Sequence, residues 1–228
     1  MSLDLKIEAA ITLLRKIESE FSPAVFANSL GAEDMVITDL IAQAGVKIDI
    51  FSLDTGRLPA ETYTLMQQTG ERYPAQPIKV FFPDTAATEA FVNRSGINAF
   101  YQSVDLRKEC CRIRKIEPLK RALSGKKAWI TGLRREQSPT RTDLTDHEYD
   151  KDNGLDKFNP LIEWTEKEVW AYIRERGIPY NALHDRNYPS IGCAPCTRSI
   201  TVGEDVRAGR WWWENPDTKE CGLHIKKA

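Results

Sequence analysis

Apolar runs of strand length alternate with segments of helical periodicity from residue 3 to residue 131, and this alternation restricts the fold more than any other feature. Apolar residues recur every three or four positions across residues 3–20, which predicts an amphipathic helix that ends before Pro23. Four apolar runs predict strands, at 24–28, 46–53, 78–82 and 128–131. Helices are predicted between them, from residue 32, at 60–72, from about residue 84 and at 107–124. The sequence therefore predicts an α/β fold, a mostly parallel sheet with helices on both faces.

The turn at residues 29–34 joins the first predicted strand to a helix. Ligands of parallel sheets bind beyond the carboxyl ends of the strands, where the free N–H groups of a helix N-terminus attract anions. The turn is also explained as an ordinary strand–helix connection in which Glu33 and Asp34 complement the helix dipole. Two acidic residues at this place argue against a triphosphate ligand, but not against a singly charged phosphoryl group.

The regular pattern weakens beyond the last predicted strand. Residues 134–157 have no apolar periodicity, and a connection of this length is expected to be a functional lid or disordered. Thr165 followed by Glu168 predicts a capping box that starts another helix. The remaining sequence is rich in Gly, Pro, Cys and Trp. We expect residues 1–202 to form the α/β domain and residues 203–228 an irregular C-terminal tail.

Charge and composition exclude several classes of protein. Hydrophobic residues make up 41% of the chain, which is too many for a disordered protein. The 32 Lys and Arg residues balance 33 Asp and Glu residues, which gives no indication of a nucleic-acid partner or an anionic membrane surface. No apolar run reaches the roughly 18 residues that a membrane span requires. Because charges occupy the N-terminus where a signal peptide would be apolar, we expect a cytoplasmic protein.

The five cysteines form two tight pairs and one single residue: Cys110-Cys111, Cys193-x-x-Cys196 and Cys221. An odd number of cysteines in a reducing compartment is not typical of a disulfide framework. Four paired thiolates are sufficient for zinc or for a [4Fe–4S] cluster, although adjacent cysteines do not match the usual spacing of structural zinc sites. A thioredoxin-like redox motif is the alternative for the second pair, but no apolar strand directly precedes it.

Basic residues surround the first cysteine pair and the single cysteine. Nine Lys and Arg residues occur in 107–127, against Glu109 and Glu117. They form either a solvated helix face or a cationic environment that favours thiolates and attracts an anionic substrate. Cys221, near Lys219 and His224, is either an inert surface thiol or a nucleophile. The three tryptophans before it are interpreted as packing anchors of the tail.

Six motifs occur in the order found in one known family. They are Ser-Leu-Gly-Ala-Glu-Asp (29–34), Leu-Asp-Thr-Gly-Arg (53–57), Lys-Glu-Cys-Cys-Arg-Ile-Arg-Lys (108–115), Gly-Leu-Arg-Arg-Glu-Gln-Ser (132–138), Gly-Cys-Ala-Pro-Cys-Thr-Arg (192–198) and Glu-Cys-Gly-Leu-His (220–224). Together they resemble the assimilatory adenylyl-sulfate (APS) reductases of the phosphoadenylyl-sulfate reductase family. The resemblance extends from about residue 25 to residue 224 and implies an adenine-nucleotide hydrolase-like, Rossmann-like sheet.

The resemblance also implies a role for individual residues. The residues implied to bind substrate are Ser29, Gly31 and Asp34 at the phosphosulfate, Leu53, Asp54, Thr55 and Gly56 along the adenosine, Gly132, Arg134 and Arg141 in a loop that closes over the nucleotide, Lys115 between substrate and cluster, and Arg207, Arg210 and His224 at the sulfate group. Cys110, Cys111, Cys193 and Cys196 are implied to bind one [4Fe–4S] cluster per chain. Cys221 is implied to be the catalytic nucleophile.

The activity implied is the reduction of adenylyl sulfate to sulfite and AMP in sulfate assimilation and cysteine biosynthesis, through an S-sulfocysteine. The family's reductant is thioredoxin, or glutaredoxin in some members, and we expect a homo-oligomer. A phosphoadenylyl-sulfate (PAPS) or dual-substrate reductase is the closest alternative, although PAPS-restricted members lack the two cysteine pairs. An ATP pyrophosphatase of the tRNA-thiolation kind would require a Ser-Gly-Gly-x-Asp-Ser loop where this chain has Glu33-Asp34. A zinc-bound nucleic-acid module is opposed by the neutral net charge.

Overall fold

A computed structural model describes residues 2–137 and 144–215 of the chain. Its sheet has six strands in the order β3-β2-β1-β4-β6-β5. The strands are β1 (Ala24–Ala27), β2 (Asp49–Leu53), β3 (Ile78–Phe81), β4 (Ala128–Ile130), β5 (His147–Asp150) and β6 (Leu155–Phe158). The pairs β1–β2, β1–β4 and β4–β6 are parallel, and β5 pairs antiparallel to β6. The predicted mostly parallel α/β fold is confirmed.

The described residues divide into two compact units. The first comprises residues 2–52, 61–79, 123–137 and 144–181, and the second residues 53–60, 80–122 and 182–215. No helix among the described residues combines the length and the apolar character that a membrane crossing requires.

Unit 1 has its core around α2 (Ala32–Ala44), the most deeply buried helix. The helices α1 (Leu3–Glu20) and α7 (Glu166–Arg176) both pack against α2. The large apolar residues of α2, Met35 to Ile37, Leu40 and Ile41, are fully buried, as expected for a helix that is apolar on nearly every side. The helix α3 (Ala60–Arg72) has the bounds that the sequence predicts. The predicted capping box is present, since Glu168 donates its backbone N–H to Thr165 Oγ1 at 3.2 Å and accepts from the Thr165 backbone N–H at 2.7 Å.

The prediction that residues 134–157 form one irregular loop was wrong. This stretch contains a short 3-10 turn at Arg135–Gln137 and the hairpin of β5 and β6, while residues 138–143 lie outside the described part. The hairpin reverses at Gly154, whose φ is +72°. The strand β5 lies at the sheet edge and has polar residues on both faces, so it lacks the apolar alternation that predicts a strand. Local periodicity therefore does not reveal the hairpin.

Unit 2 is built from short helices. They are α4 (Thr85–Ser95), a 3-10 turn (Ala99–Tyr101), α5 (Val104–Cys111), a π-helical turn (Arg112–Ile116), α6 (Glu117–Leu123) and two further 3-10 turns (Ala182–Arg186 and Ala194–Cys196). The single helix predicted for 107–124 is therefore interrupted directly after its cysteine pair. Such π-helical insertions change which face of a helix the following side chains occupy and are frequent at functional sites. The described residues that follow the last 3-10 turn have only short turns and one isolated bridge, Thr197–Arg210.

Candidate functional site

In unit 1, the turn before α2 is held by side-chain hydrogen bonds. Asp34 Oδ2 accepts from the Ser29 backbone N–H at 2.7 Å and from Ser29 Oγ at 2.6 Å. Asn28 Oδ1 accepts from the backbone N–H of Leu30, a residue with a left-handed φ of 63°. Gly31 is the N-cap of α2 and has no side-chain cap, so the first N–H groups of the helix lie beside this turn. Uncapped N–H groups at the start of a helix attract anions.

Gly132 lies against the second oxygen of Asp34. A Cβ atom added to Gly132 would lie 2.1 Å from Asp34 Oδ1, which only glycine avoids. Burial raises the pKa of Asp34 to about 7, despite the opposing hydrogen bonds from Ser29. Near neutral pH this carboxyl group is therefore partly protonated. A neutral Asp34 removes one of the two negative charges that argued against an anion in this turn.

Arg134 completes this group in unit 1. Its side chain is buried, and its Nε donates to Glu33 Oε1 at 2.8 Å and its Nη1 to Glu136 Oε2 at 3.1 Å. The structure thus brings together Ser29, Gly31, Asp34, Gly132 and Arg134, which the resemblance had assigned to one site. Glu33 is then the counter-ion of Arg134, a role that the sequence did not reveal.

In unit 2, all four paired cysteines line one small cavity. Cys110 and Cys111 come from the end of α5, and Cys193 and Cys196 from the 3-10 turn, so residues far apart in sequence meet. All four are free thiols. No group of three or more His, Cys, Asp or Glu side chains in the described residues is placed to hold a metal ion.

Three elements of unit 2 place the second cysteine pair. The hydroxyl Oγ1 of Thr55 lies 3.2 Å from Cys193 Sγ. The Ala194 backbone N–H donates to the carbonyl of Arg57 at 2.8 Å. Tyr101 donates its hydroxyl to the carbonyl of Pro195 at 2.6 Å. The stretch that follows β2 is therefore part of the wall of the cysteine cavity.

The same stretch is ordered internally. Asp54 Oδ1 accepts from the Gly56 backbone N–H at 2.7 Å, and Arg114 Nη1 donates to the carbonyl of Thr55 at 2.6 Å. Asp54 and Thr55 are buried, whereas Leu53 is half-buried. The four residues assigned to adenosine contact, Leu53 to Gly56, thus lie in unit 2 beside the cysteine site.

Basic side chains line the cysteine cavity, but they do not lower the pKa of every thiol. The lining residues with positive charge are Arg57, Arg107, Arg114 and Lys115. Burial nevertheless raises the pKa of Cys110, and burial together with the charge of Cys193 raises that of Cys196 to about 12. The expectation that nearby cations favour the thiolate does not hold for these two residues because desolvation outweighs them. Four thiolates here require a strongly cationic group among them.

Sequence reasoning did not single out Arg57, Arg107 and Arg114 as site residues. A helical spacing was available as a signal, because Arg107 precedes Cys110 and Cys111 by three and four positions and Arg114 follows them by four and three. Lys115, which was predicted, lines the cavity as well.

The described tail residues pack in unit 2. Arg210 is buried, with its guanidinium carbon 4.7 Å from the ring centroid of Trp211, and Arg207 is half-buried. Trp211 is fully buried and packs with Phe100 and the second cysteine pair, and the half-buried Trp213 packs against the same cluster. These two tryptophans are anchors as predicted, whereas Trp212 is exposed. Arg141, Cys221 and His224 lie outside the described residues.

Comparison with known proteins adds an independent line of evidence. Residues 23–199 match the family described as phosphoadenosine phosphosulfate reductase domain. A relative from Allochromatium vinosum named adenosine 5′-phosphosulfate reductase is 58% identical over 219 residues, which cover 96% of this chain and 85% of that protein. A relative of the same name from Burkholderia cepacia is 54% identical over 220 residues, covering 96% and 88%.

Solved structures show the same fold. The crystal structure of phosphoadenylyl-sulfate reductase from Candida auris, a phosphate complex, is similar with a TM-score of 0.72 and 27% identity, covering 87% of this chain and 96% of that one. The FMN adenylyltransferase of Candida glabrata, with FAD and pyrophosphate, has a TM-score of 0.59 at 16% identity, covering 96% and 78%. The second likeness concerns the fold alone.

Proposed function

Because this chain belongs to the phosphoadenosine phosphosulfate reductase family and its relatives of 54–58% identity are named adenosine 5′-phosphosulfate reductases, we propose that it reduces adenylyl sulfate to sulfite and AMP. Thioredoxin supplies the electrons in this proposal, and Cys221 forms an S-sulfocysteine. The observation that carries the proposal is the cavity of unit 2, lined by two cysteine pairs from separate segments and by four cationic side chains.

The donor set fits one [4Fe–4S] cluster, which we propose as the resident cofactor. Four cysteine thiols line one cavity, yet they do not converge on a site for a single ion. A single zinc requires four ligands at about 2.3 Å from one point, whereas the thiolates of a four-iron cluster are spread over several metal atoms. When bound, the cluster supplies the positive iron charge that four buried thiolates require. Cys110, Cys111, Cys193 and Cys196 would hold it.

The chemistry is carried by the chain's own side chains. The Cys221 thiolate attacks the substrate sulfur, an Sγ–S bond forms, and the bond from sulfur to the phosphate oxygen breaks so that AMP leaves with the electron pair. Sulfate oxygens repel an incoming thiolate, and Arg207, Arg210, His224 and Lys115 are proposed to offset that repulsion.

A dithiol protein completes the reaction. One of its thiolates attacks Cys221 Sγ, which releases sulfite with the electron pair of the broken S–S bond and leaves a mixed disulfide. Its second thiol then releases Cys221 as a thiolate and becomes part of a disulfide. Two electrons pass from the dithiol to sulfur, and the cluster is not needed as an electron carrier.

The turn at residues 29–34 is proposed to bind the phosphosulfate, and Arg134 and Arg141 to close over the nucleotide. In the structure Arg134 is paired with Glu33. An arriving phosphoryl group therefore competes with Glu33 for the guanidinium, and a partly protonated Asp34 reduces the charge that this group meets.

Sulfite release from APS and from PAPS, measured side by side with thioredoxin, tests the proposal. We expect a higher kcat/KM for APS, because the two cysteine pairs favour the unphosphorylated nucleotide and nothing in the sequence identifies an extra basic pocket for a 3′-phosphate. Equal kcat/KM values, or a higher value for PAPS, would assign the chain to the dual-substrate or PAPS-reducing class. The structurally similar protein from Candida auris is named a PAPS reductase, which is why this alternative is tested. The proposal also includes a cytoplasmic location and a homo-oligomer. Sedimentation of the purified holoenzyme tests the oligomeric state.

A single turnover without thioredoxin tests the nucleophile. The chain should release one AMP and gain one SO₃ group on the peptide that contains Cys221. Cys221→Ser should keep nucleotide binding and colour but form no adduct, since a neutral hydroxyl is a far weaker nucleophile. His224→Ala should slow the adduct without abolishing it. An adduct on Cys193 or Cys196 would refute the assignment.

A further inference from the structure

A buried ion pair joins α5 to the last described residues of unit 2. Arg107 Nε donates to Glu214 Oε1 at 2.7 Å, and Arg107 Nη2 donates to Glu214 Oε2 at 2.9 Å. The two side chains are 1% and 4% exposed. A bidentate pair of this kind fixes both distance and orientation, which a solvated surface pair does not.

Arg107 also contacts the cysteine site. It lines the cysteine cavity together with Cys110 and Cys111, and its guanidinium carbon lies 4.7 Å from the ring centroid of Trp211. The guanidinium carbon of Arg210 lies at the same distance from that ring. Arg107 therefore belongs to the wall of the cysteine cavity and also contacts the segment that runs from Trp211 to Glu214.

Glu214 is the point from which Cys221 is tethered. Cys221 follows Glu214 by seven residues. An extended chain covers at most about 3.6 Å per residue, so Cys221 stays within about 25 Å of Glu214. The position of Glu214 thus defines the volume in which the Cys221 thiol encounters a bound substrate, and this volume sets its effective concentration.

Neither partner of the pair tolerates the loss of the other. A buried charge without its counter-ion is strongly unfavourable, so loss of either partner destabilises the placement of residues 211–214. A change at Cys111 reaches Glu214 through one side chain, Arg107. This is a direct physical connection between the cysteine cavity and the base of the tail.

We propose that Arg107 is a positioning residue that links the state of the cysteine site to the placement of the tail carrying Cys221. This inference rests on the proposed function, since it takes Cys221 as the nucleophile. An intact cysteine site holds Arg107, Arg107 holds Glu214, and Glu214 fixes the point from which the chain continues to Cys221. Disturbance of the cysteine site then slows thiol transfer even where nucleotide still binds.

The test compares Glu214→Gln with Glu204→Gln in the holoenzyme. Glu204 forms a more exposed ion pair with Arg198 in the same unit, at 2.7 Å with side chains 30% and 37% exposed, and is a matched control. We expect Glu214→Gln to slow S-sulfonation of Cys221 in a single turnover at least tenfold, with AMP affinity within twofold of the parent and visible absorption retained. Glu204→Gln should leave all three unchanged.

Tryptic cleavage after Arg210 gives a readout that does not depend on activity. Arg210 is buried in the parent, so cleavage there should be slow and should accelerate in Glu214→Gln. Cys111→Ser should accelerate it too, whereas adding Cys111→Ser to Glu214→Gln should give no further increase, because both changes act through Arg107. Fully additive effects would overturn the proposed link.

The outcomes separate this inference from the proposed function. Normal S-sulfonation in Glu214→Gln, or loss of absorption in that variant, would overturn the positioning role. Turnover by Cys221→Ser would instead overturn the proposed nucleophile. Should Glu214→Gln fail to fold, Glu214→Asp keeps the charge but shifts the tether by one methylene, and a rate equal to the parent's in that variant would likewise contradict the proposal.

Discussion

Asp34 shows how one residue's chemistry depends on its surroundings. Its neighbours in sequence suggest a helix-capping acid, but burial raises its pKa to about 7 and leaves it partly neutral. The folded state therefore binds a proton at Asp34 more tightly than the unfolded state does. By linkage, stability contributed at this site is complete at low pH and is lost as pH rises from about 4 toward 7.

Asp34→Asn should make the folded protein more stable than the parent at pH 8, with the difference in Tm shrinking as pH falls to 5. The amide is neutral at every pH and its oxygen still accepts from Ser29, so the cost of charging a buried carboxyl is removed. Thermal unfolding at both pH values measures this. The same difference in Tm at pH 5 and pH 8 would contradict an elevated pKa.

Gly132→Ala should weaken AMP binding at least tenfold. The added methyl group would lie 2.1 Å from Asp34 Oδ1 and 3.2 Å from Glu33 Cβ, so the loop at residues 29–34 has to move. Gly70→Ala is the control: it lies within α3, and a Cβ there meets nothing within 4 Å. That variant should bind AMP normally and be more stable by about 0.5–1 kcal/mol, the helix preference of alanine over glycine. Calorimetric titration with AMP measures both affinities, and equal losses in the two variants would refute the steric argument.

At the scale of elements, the ends of helices decide how they contribute. The N-terminus of α7 is closed by the reciprocal bonds of Thr165 and Glu168, and Glu168 is also paired with Lys6 of α1 at 2.7 Å. The cap therefore orders its own helix and connects it to a second one. The helix α5 has no such cap at its C-terminal end. It ends at Cys111, and the π-helical turn follows directly from Arg112.

Thr165→Ala should lower the free energy of unfolding by about 1 kcal/mol, because the substitution removes the hydroxyl of the capping box. Thr12→Ala is the matched control, since Thr12 lies exposed in the middle of α1, where alanine is the better helix former. Urea unfolding followed by circular dichroism compares the two variants. A loss in Thr12→Ala as large as in Thr165→Ala would show that the cap is not the cause.

At the scale of the whole molecule, the proposed cofactor depends on segments that meet only in the folded chain. Anaerobically purified protein should be yellow-brown and contain about four irons per chain, the content of one [4Fe–4S] cluster. Cys193→Ser should bleach it and abolish sulfite release, whereas Cys221→Ser should keep the colour. Absorption spectra and iron analysis of the three proteins decide this. A colourless, active protein with stoichiometric zinc would contradict the cluster.

Local pattern carried much of the fold. The alternation of apolar runs with helical periodicity is a property of neighbouring residues, so α1, α3 and the strands β1 to β4 were predictable. The occurrence of four cysteines as two close pairs was also evident from the sequence, because the two members of each pair are at most three positions apart. The hairpin at residues 147–158 was not predictable, since polar edge strands are defined by the strand they pair with.

The sequence by itself determined the parallel α/β class, the capped helix after Thr165 and the grouping of the cysteines into two close pairs and one single residue. Only the tertiary structure decided that Asp34 has a raised pKa, that Arg134 is paired with Glu33, and that Arg107 of the cysteine cavity is paired with Glu214. The reason is physical. Periodicity and spacing act between residues a few positions apart, whereas desolvation and ion pairing depend on which distant segments exclude water together.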